Sequence, residues 1–223
     1  MKQRGQLIIM SGFSGSGKGT ITQALLERYP QEYALSVSAT TRQPREGEKD
    51  GIHYFFLSKK DFETKIQKHE FLEYACYVDN YYGTPADYVE QHLASGKNVI
   101  LEIEIQGALQ VKKKVPDALL VFVTPPTAEI LENRLRGRGT ESEDVIASRM
   151  SRAAVEADGC EVYDYLVVND DLDASVALMH QIIQYEKEKP VQPVTQCENS
   201  KMKHQIDLIS KIRTELTEKA KGE

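Results

Sequence analysis

Apolar residues along the chain fall into short blocks separated by polar, glycine-rich or proline-rich breaks. Leu7-Ile8-Ile9-Met10 is one such block, followed by a glycine-rich turn over residues 12–19. Ile21, Ala24, Leu25 and Leu26 then recur at helical spacing up to Pro30, so the chain begins strand, loop, helix. Residues 98–105 (NVILEIEI) predict a second strand, with Glu102 and Glu104 leaving the same face because strand side chains alternate. A helical stretch bearing Lys112, Lys113 and Lys114 follows, and the charge run reads as a solvated face. Residues 118–123 (ALLVFV) are apolar at every position, as a buried parallel strand requires. Residues 127–136 and 142–158 predict helices, the first capped by Thr124 or Thr127 beside Pro125 and Pro126. A strand at 165–168 leads to Asn169-Asp170-Asp171, which opens a helix ending near residue 188. Strands alternating with helices predict a parallel sheet with helices on both faces.

Two segments break this rhythm. Residues 36–93 hold most of the aromatics, mixed with charges and turn residues, and read as a small mixed α/β insertion. Residues 190–193 (PVQP) read as a linker. Beyond it Met202, Ile206, Ile209, Ile212 and Leu216 form a narrow apolar stripe at helical steps. That stripe needs a partner, either the chain's own core or another subunit. The reach of a linker favours a homo-oligomer through this helix.

Composition narrows the class. The 223 residues carry 28 basic and 34 acidic side chains, a formal charge of −6. This is ordinary for a soluble globular protein of one domain, with or without an insertion. No apolar run approaches the roughly 18 residues that cross a bilayer, so no membrane association is expected. The N-terminus has no apolar signal region. Three cysteines without a CxxC pair argue against a disulfide framework or a zinc site and for a reducing, cytoplasmic setting. The five histidines show no ligand spacing. With an acidic balance and no basic stripe, no nucleic-acid partner is expected.

The chemistry concentrates in Gly12-Phe13-Ser14-Gly15-Ser16-Gly17-Lys18-Gly19-Thr20. This matches G-x-x-x-x-G-K between a strand and a helix, the context that a phosphate loop demands. Glycines let successive N–H groups turn toward a phosphate, the helix N-terminus faces the same anion, and Lys18 adds a full charge. The hydroxyl of Thr20 falls one place later than in the strict pattern. The hydroxyl of Thr20 or Ser16 is a candidate contact to a phosphate or to Mg²⁺ bound with ATP, with Thr20 the metal candidate, directly or through water. A Gly-Lys-Gly-Thr ending resembles nucleoside monophosphate kinases.

Further blocks follow in order. They are Ser36-Val37-Ser38-Ala39-Thr40-Thr41-Arg42-Gln43-Pro44-Arg45, Gly51-Ile52-His53-Tyr54, Glu70-Phe71-Leu72-Glu73-Tyr74 and Asn80-Tyr81-Tyr82-Gly83-Thr84-Pro85. Leu101-Glu102-Ile103-Glu104-Ile105-Gln106-Gly107, Gly137-Arg138-Gly139-Thr140 and Val168-Asn169-Asp170-Asp171 continue the series. Together with the phosphate loop they resemble guanylate kinases over about residues 5–188. The resemblance implies an α/β fold, a three-layer P-loop NTPase core with a parallel sheet, a GMP-binding insertion and a mobile lid. The implied division is core 1–35, 94–136 and 156–189, GMP-binding domain 36–93, lid 137–155, and linker plus C-terminal helix 190–223. It further implies an ATP:GMP phosphotransferase that makes ADP and GDP, with dGMP as a second substrate.

The residue roles carried over are these. Gly12, Ser14, Gly15, Ser16, Gly17, Lys18, Gly19, Thr20, Arg134, Arg138 and Asn169 would bind ATP. Arg42, Arg45, Tyr54 and Tyr82 would hold the GMP phosphate, with Ser38 and Thr84 at guanine O6. Glu73 would accept from guanine N1–H and N2–H₂, with Glu104 helping. Lys18, Arg42, Arg138 and Arg149 would carry catalysis. The chemistry is sensible in itself: paired guanidiniums grip a phosphate through forked bonds, and a carboxylate matches two adjacent donors of guanine but not adenine. Two positions depart from the family, Phe13 for Pro and Glu104 for the Asp that many relatives carry. Guanylate-kinase-like modules that bind proteins without catalysis are the alternative. Here the lysine and the arginines of the catalytic set are all in place.

Overall fold

The structure is a computed structural model describing residues 3–137, 139, 142–189 and 195–221. β1 (Leu7–Gly12) is buried over its first five residues, which sets it at the middle of a sheet. It pairs in parallel with β7 (Asn98–Glu102) and β8 (Leu119–Thr124). β2 (Tyr33–Leu35) and β9 (Tyr165–Val168) complete the order β2-β7-β1-β8-β9, every pairing parallel.

Alternation along β1 divides the core. Ile8 and Met10 join α1 (Lys18–Arg28) and α7 (Leu172–Glu188) through Ile21, Leu25, Met179 and Ile183. Leu7 and Ile9 face the other side, over which lie α3 (Ala86–Ala94), α4 (Ile105–Lys114), α5 (Ala128–Arg136) and α6 (Glu143–Ala157). This is the expected three-layer α/β architecture. Thr127 caps α5 by accepting from the Ile130 amide, and Asp171 caps α7 by accepting from Ala174.

The insertion builds a second sheet from β3 (Ala39–Thr40), β4 (Phe55–Phe56), β5 (Phe71–Tyr77) and β6 (Asn80–Pro85), in the order β4-β3-β6-β5. α2 (Lys59–Gln67) covers it with Phe62, which stacks between Phe71 and Tyr81 at 4.3 and 5.2 Å. Tyr81 is thus a packing aromatic.

One expectation is corrected. The strand expected over 98–105 ends at Glu102, and Glu104 instead flanks the start of α4, so the two carboxylates do not share a strand face. Most of the C-terminal stripe packs against its own chain. On α9 (Ile206–Lys221), Ile209, Ile212 and Leu216 are buried in the same cluster as α5 and α6, while Ile206 at its start stays exposed. The linker at 190–193 lies outside the described residues.

Candidate active site

The loop after β1 is shaped by left-handed glycines. Gly17 has φ of 91°, and a Cβ there would lie 2.2 Å from the Asn169 amide nitrogen. Only glycine fits, because both the backbone conformation and the space exclude a side chain. Phe13 anchors the start of the loop. It is fully buried, edge-on to Phe122 at 5.1 Å, where the family's proline would bury less.

α1 starts directly after Gly17 with no side-chain cap and no acid in its first turn. Its terminal amides therefore carry the positive end of the helix dipole uncompensated by a side chain, unlike those of α5 and α7. Lys18 folds over the loop, donating to the carbonyls of Gly12 (2.5 Å) and Phe13 (3.0 Å). Ser16 Oγ is buried beneath the loop without a hydrogen-bond partner among the described residues. Ser14 and Thr20 are exposed, Thr20 in the first turn of α1.

Three groups close on this loop. Arg149 of α6 donates to Ser14 Oγ at 2.8 Å. Arg134 of α5 donates to the carbonyls of Asn169 (2.8 Å) and Ser16 (3.4 Å). The Asn169 amide, itself buried, donates to the Ser16 carbonyl at 2.8 Å. Arg134 and Asn169 thus brace the loop from beneath. Arg138 lies outside the described residues.

A cleft of about 630 Å³ opens in front of the loop, lined by Ser14, Lys18, Glu102, Glu104, Arg149 and Arg152 among others. A second cavity of about 210 Å³ continues from it, sharing Glu102 and Ile103 and reaching Ser38, Tyr54 and Thr84. A larger cleft of about 1120 Å³ lies elsewhere, away from the phosphate loop and lined by residues such as Lys112, Asp164, Tyr165 and Lys201. Size is therefore not what marks the site.

The small sheet brings the predicted acceptor residues together. Arg42 lies over the Tyr54 ring at 5.4 Å, and Tyr54 meets Tyr82 edge-on at 6.2 Å. Glu48, which the sequence reading missed, grips Arg42 with both oxygens at 2.8 and 3.0 Å and accepts from the Arg45 amide at 2.7 Å. These bonds hold the Glu48 carboxyl far below its ordinary range, at about 2. The only sequence signal for Glu48 was an acid close after two arginines. The Arg45 side chain is exposed on the same loop.

Glu73 is buried on β5, and the cross-strand hydroxyl of Thr84 on β6 donates to it at 2.6 Å. Burial pushes its carboxyl pKa up, and the Thr84 bonds oppose that rise only in part. Gly107 at the start of α4 packs against it, since a Cβ there would sit 3.2 Å from Glu73 Oε2. Glu104 points to solvent and pairs with Arg152 at 2.6 Å. Glu102, at the end of β7, lines both cavities and approaches the first turn of α1.

A phosphate loop in a parallel sheet, opposite an arginine-tyrosine pocket on a separate small sheet, defines a P-loop enzyme that works on two phosphorylated molecules. The comparisons make this specific. The Guanylate kinase family model matches residues 4–186, and the chain belongs to that family. The chain is 52% identical to Guanylate kinase of Latilactobacillus sakei subsp. sakei (strain 23K) over 186 residues, 83% of this chain and 92% of that one. It is 51% identical to Guanylate kinase of Synechocystis sp. (strain ATCC 27184 / PCC 6803 / Kazusa) over 180 residues, 81% and 94% of the two chains. A crystal structure of guanylate kinase from Anaplasma phagocytophilum superposes with a TM-score of 0.64 at 30% identity, covering 83% of this chain and 88% of that one. The chain is accordingly an ATP:GMP phosphotransferase, and the reading as an inactive binding module is set aside. No helix among the described residues is long and apolar enough to cross a membrane.

Proposed function

We propose that the loop at 12–20 holds the phosphates of ATP and the small-sheet pocket holds GMP, with Glu102 and Ile103 on the wall between them. The observation that carries this is the α1 N-terminus. Its amides lack any side-chain cap, Lys18 stands beside them, and the cleft before them runs into the cavity reaching Thr84. Arg42, Arg45, Tyr54 and Tyr82 bind the GMP phosphate. Glu73 reads N1–H and N2–H₂, while Ser38 and Thr84 serve O6. Glu104 acts through its pairing with Arg152 rather than on the base. Arg149 and Arg138 neutralise charge over the triphosphate, and residues 137–155 form the lid. Arg134 and Asn169 act through the loop that they brace.

No general base is needed, because the GMP phosphate is already largely ionised at neutral pH, its second pKa being about 6. Alignment and charge neutralisation supply the catalysis. Among the described residues no three His, Cys, Asp or Glu side chains gather into a metal site, so Mg²⁺ fits as a companion of the ATP phosphates. Thr20 and Glu102 are the side chains that would face it, directly or through water. When bound, Mg²⁺ neutralises the phosphate oxygens. dGMP is a substrate because none of these contacts reads the 2′-position. Cys76, Cys160 and Cys197 are free thiols, which suits a reducing cytoplasm.

ADP release from MgATP is measured with GMP, dGMP, AMP, CMP and UMP offered singly. GMP and dGMP turn over, and Lys18→Ala lowers kcat about 100-fold or more. Glu73→Gln lowers discrimination against AMP while leaving the KM for ATP in place. Unchanged turnover in Lys18→Ala, or unchanged base choice in Glu73→Gln, would remove the corresponding half of the reading.

A further inference from the structure

The family match ends at residue 186, before the last two α-helices, α8 (Thr195–Asn199) and α9. α9 nevertheless packs against both α5 and α6. Ile209, Ile212 and Leu216 are buried with Leu131 and Leu135 of α5 and with Ile146, Met150 and Ala153 of α6 in one cluster. Polar contacts fix the register of that packing. Glu215 Oε2 accepts from the Ala128 amide at 3.0 Å, one of the terminal N–H groups of α5 that Thr127 leaves unsatisfied. Lys219 pairs with Glu132 of α5 at 2.6 Å, and Arg213 with Asp158 at the end of α6 at 3.2 Å.

The same two helices touch the phosphate loop. Leu131 and Leu135 support Gly15, whose Cβ would lie 2.9 Å from Leu135 Cδ2. Arg134 holds the Ser16 carbonyl, and Arg149 reaches Ser14. Each helix therefore has loop contacts and α9 contacts, and α9 ties the two helices together.

We infer that α9 is a positioning element of the ATP site, setting α5 and α6 so that Arg134 and Arg149 meet the phosphate loop in register. The inference rests on the reading of Arg149 as a triphosphate contact. It assigns α9 no contact with substrate. A misplacement of about 1 Å in such a cation is enough to change the rate severely. Glu215 and Leu216 are positioning residues, felt in the ATP parameters and not in the GMP parameters.

The test uses full-length variants Leu216→Ala, Glu215→Ala and Arg149→Ala. Ile183→Ala on α7, buried in the cluster on the opposite face of the sheet, is the control for lost packing. Initial rates give KM for MgATP and GMP separately, and thermal melts report stability. Leu216→Ala and Glu215→Ala are expected to raise the KM for MgATP about tenfold, with the KM for GMP within about twofold. Ile183→Ala, with a comparable loss of melting temperature, leaves both KM values unchanged. Leu216→Met restores the MgATP value. If Leu216→Ala does not fold, Glu215→Ala, which removes no core volume, decides the matter alone. Both α9 variants leaving the KM for MgATP unchanged, or shifting both substrates equally, would overturn the inference while Arg149→Ala remains defective. An unimpaired Arg149→Ala would overturn the site reading, and the inference with it.

Discussion

At the scale of single residues, Glu73 has two opposed demands. In its proposed role it must meet guanine as an ionised carboxylate, but burial beneath α4 favours the protonated one and raises its pKa. In the proposed site Glu73 accepts two hydrogen bonds from guanine above the raised pKa, and below it one acceptor oxygen is lost to its own proton. kcat/KM for GMP should therefore fall on acidification, following the free enzyme's Glu73, while kcat/KM for ATP does not share that limb. Glu73→Gln should lower kcat/KM for GMP by about 100-fold and abolish the Glu73 limb, leaving the ionisation of GMP itself. The stability effect runs the other way. A carboxyl with a raised folded pKa holds its proton longer in the folded state, so its charge costs stability as pH rises from the ordinary value through the raised one. Glu73→Gln keeps an acceptor for Thr84 and should melt higher than the parent at neutral pH. A melting temperature that falls at pH 7 and stays unchanged at pH 4 would show that the charge stabilises the fold instead.

At the scale of elements, legibility followed the length of the pattern. The phosphate loop was readable because glycines, lysine, strand and helix all point to one geometry. β8 was readable because an apolar run of that length has few other places to go. β2, β3 and β4 span two or three residues, too short for any period, and tertiary pairing alone makes them strands. The β5–β6 turn places Val78 and Asp79 at φ of 45° and 63° without a glycine, so no hairpin signal marked it. Glu104 was misplaced because Ile103 and Ile105 continue the alternation of β7 after the backbone has left the sheet. The loop offers a sharp test. Gly17→Ala combines a left-handed backbone, worth about 1–2 kcal/mol, with a clash against the buried Asn169 amide, worth about 1–3 kcal/mol more. Its melting temperature should fall by roughly 5–15 °C, and kcat/KM for ATP by about 100-fold or more. Gly47→Ala shares the positive φ but meets nothing within 4 Å. It should cost only roughly 2–6 °C and leave ATP kinetics intact. Equal losses in both would mean that backbone conformation, and not the seat of the loop on Asn169, governs the site.

At the scale of the whole molecule, the two sheets are unequally built. The parallel sheet is sandwiched between two large clusters, one running from Leu7 to Leu216 and the other from Ile8 to Cys197. The small sheet has Ala39, Phe62 and Phe71 as its fully buried apolar set among the described residues, with Phe55, Leu57, Ile66 and Tyr81 around them. The aromatic richness of residues 36–93 was plain in the sequence, but not that so little of it is buried, since Tyr54 and Tyr82 are half-exposed at the pocket. A sheet with so small a core opens at lower free energy than the body that carries it. Native-state hydrogen exchange should show amides of β3, β5 and β6 opening sub-globally, well before those of β1, β7 and β8. GMP at 100 times its Kd should add about 2.7 kcal/mol to that opening and slow exchange there roughly 100-fold. An ATP analogue alone should instead protect the amides of the phosphate loop and the first turn of α1. The two substrates would then protect different parts of one chain, because the proposed acceptor pocket belongs to the weak sheet and the proposed donor loop to the strong one. Uniform exchange across both sheets, or GMP protecting α1 rather than β5 and β6, would contradict this division.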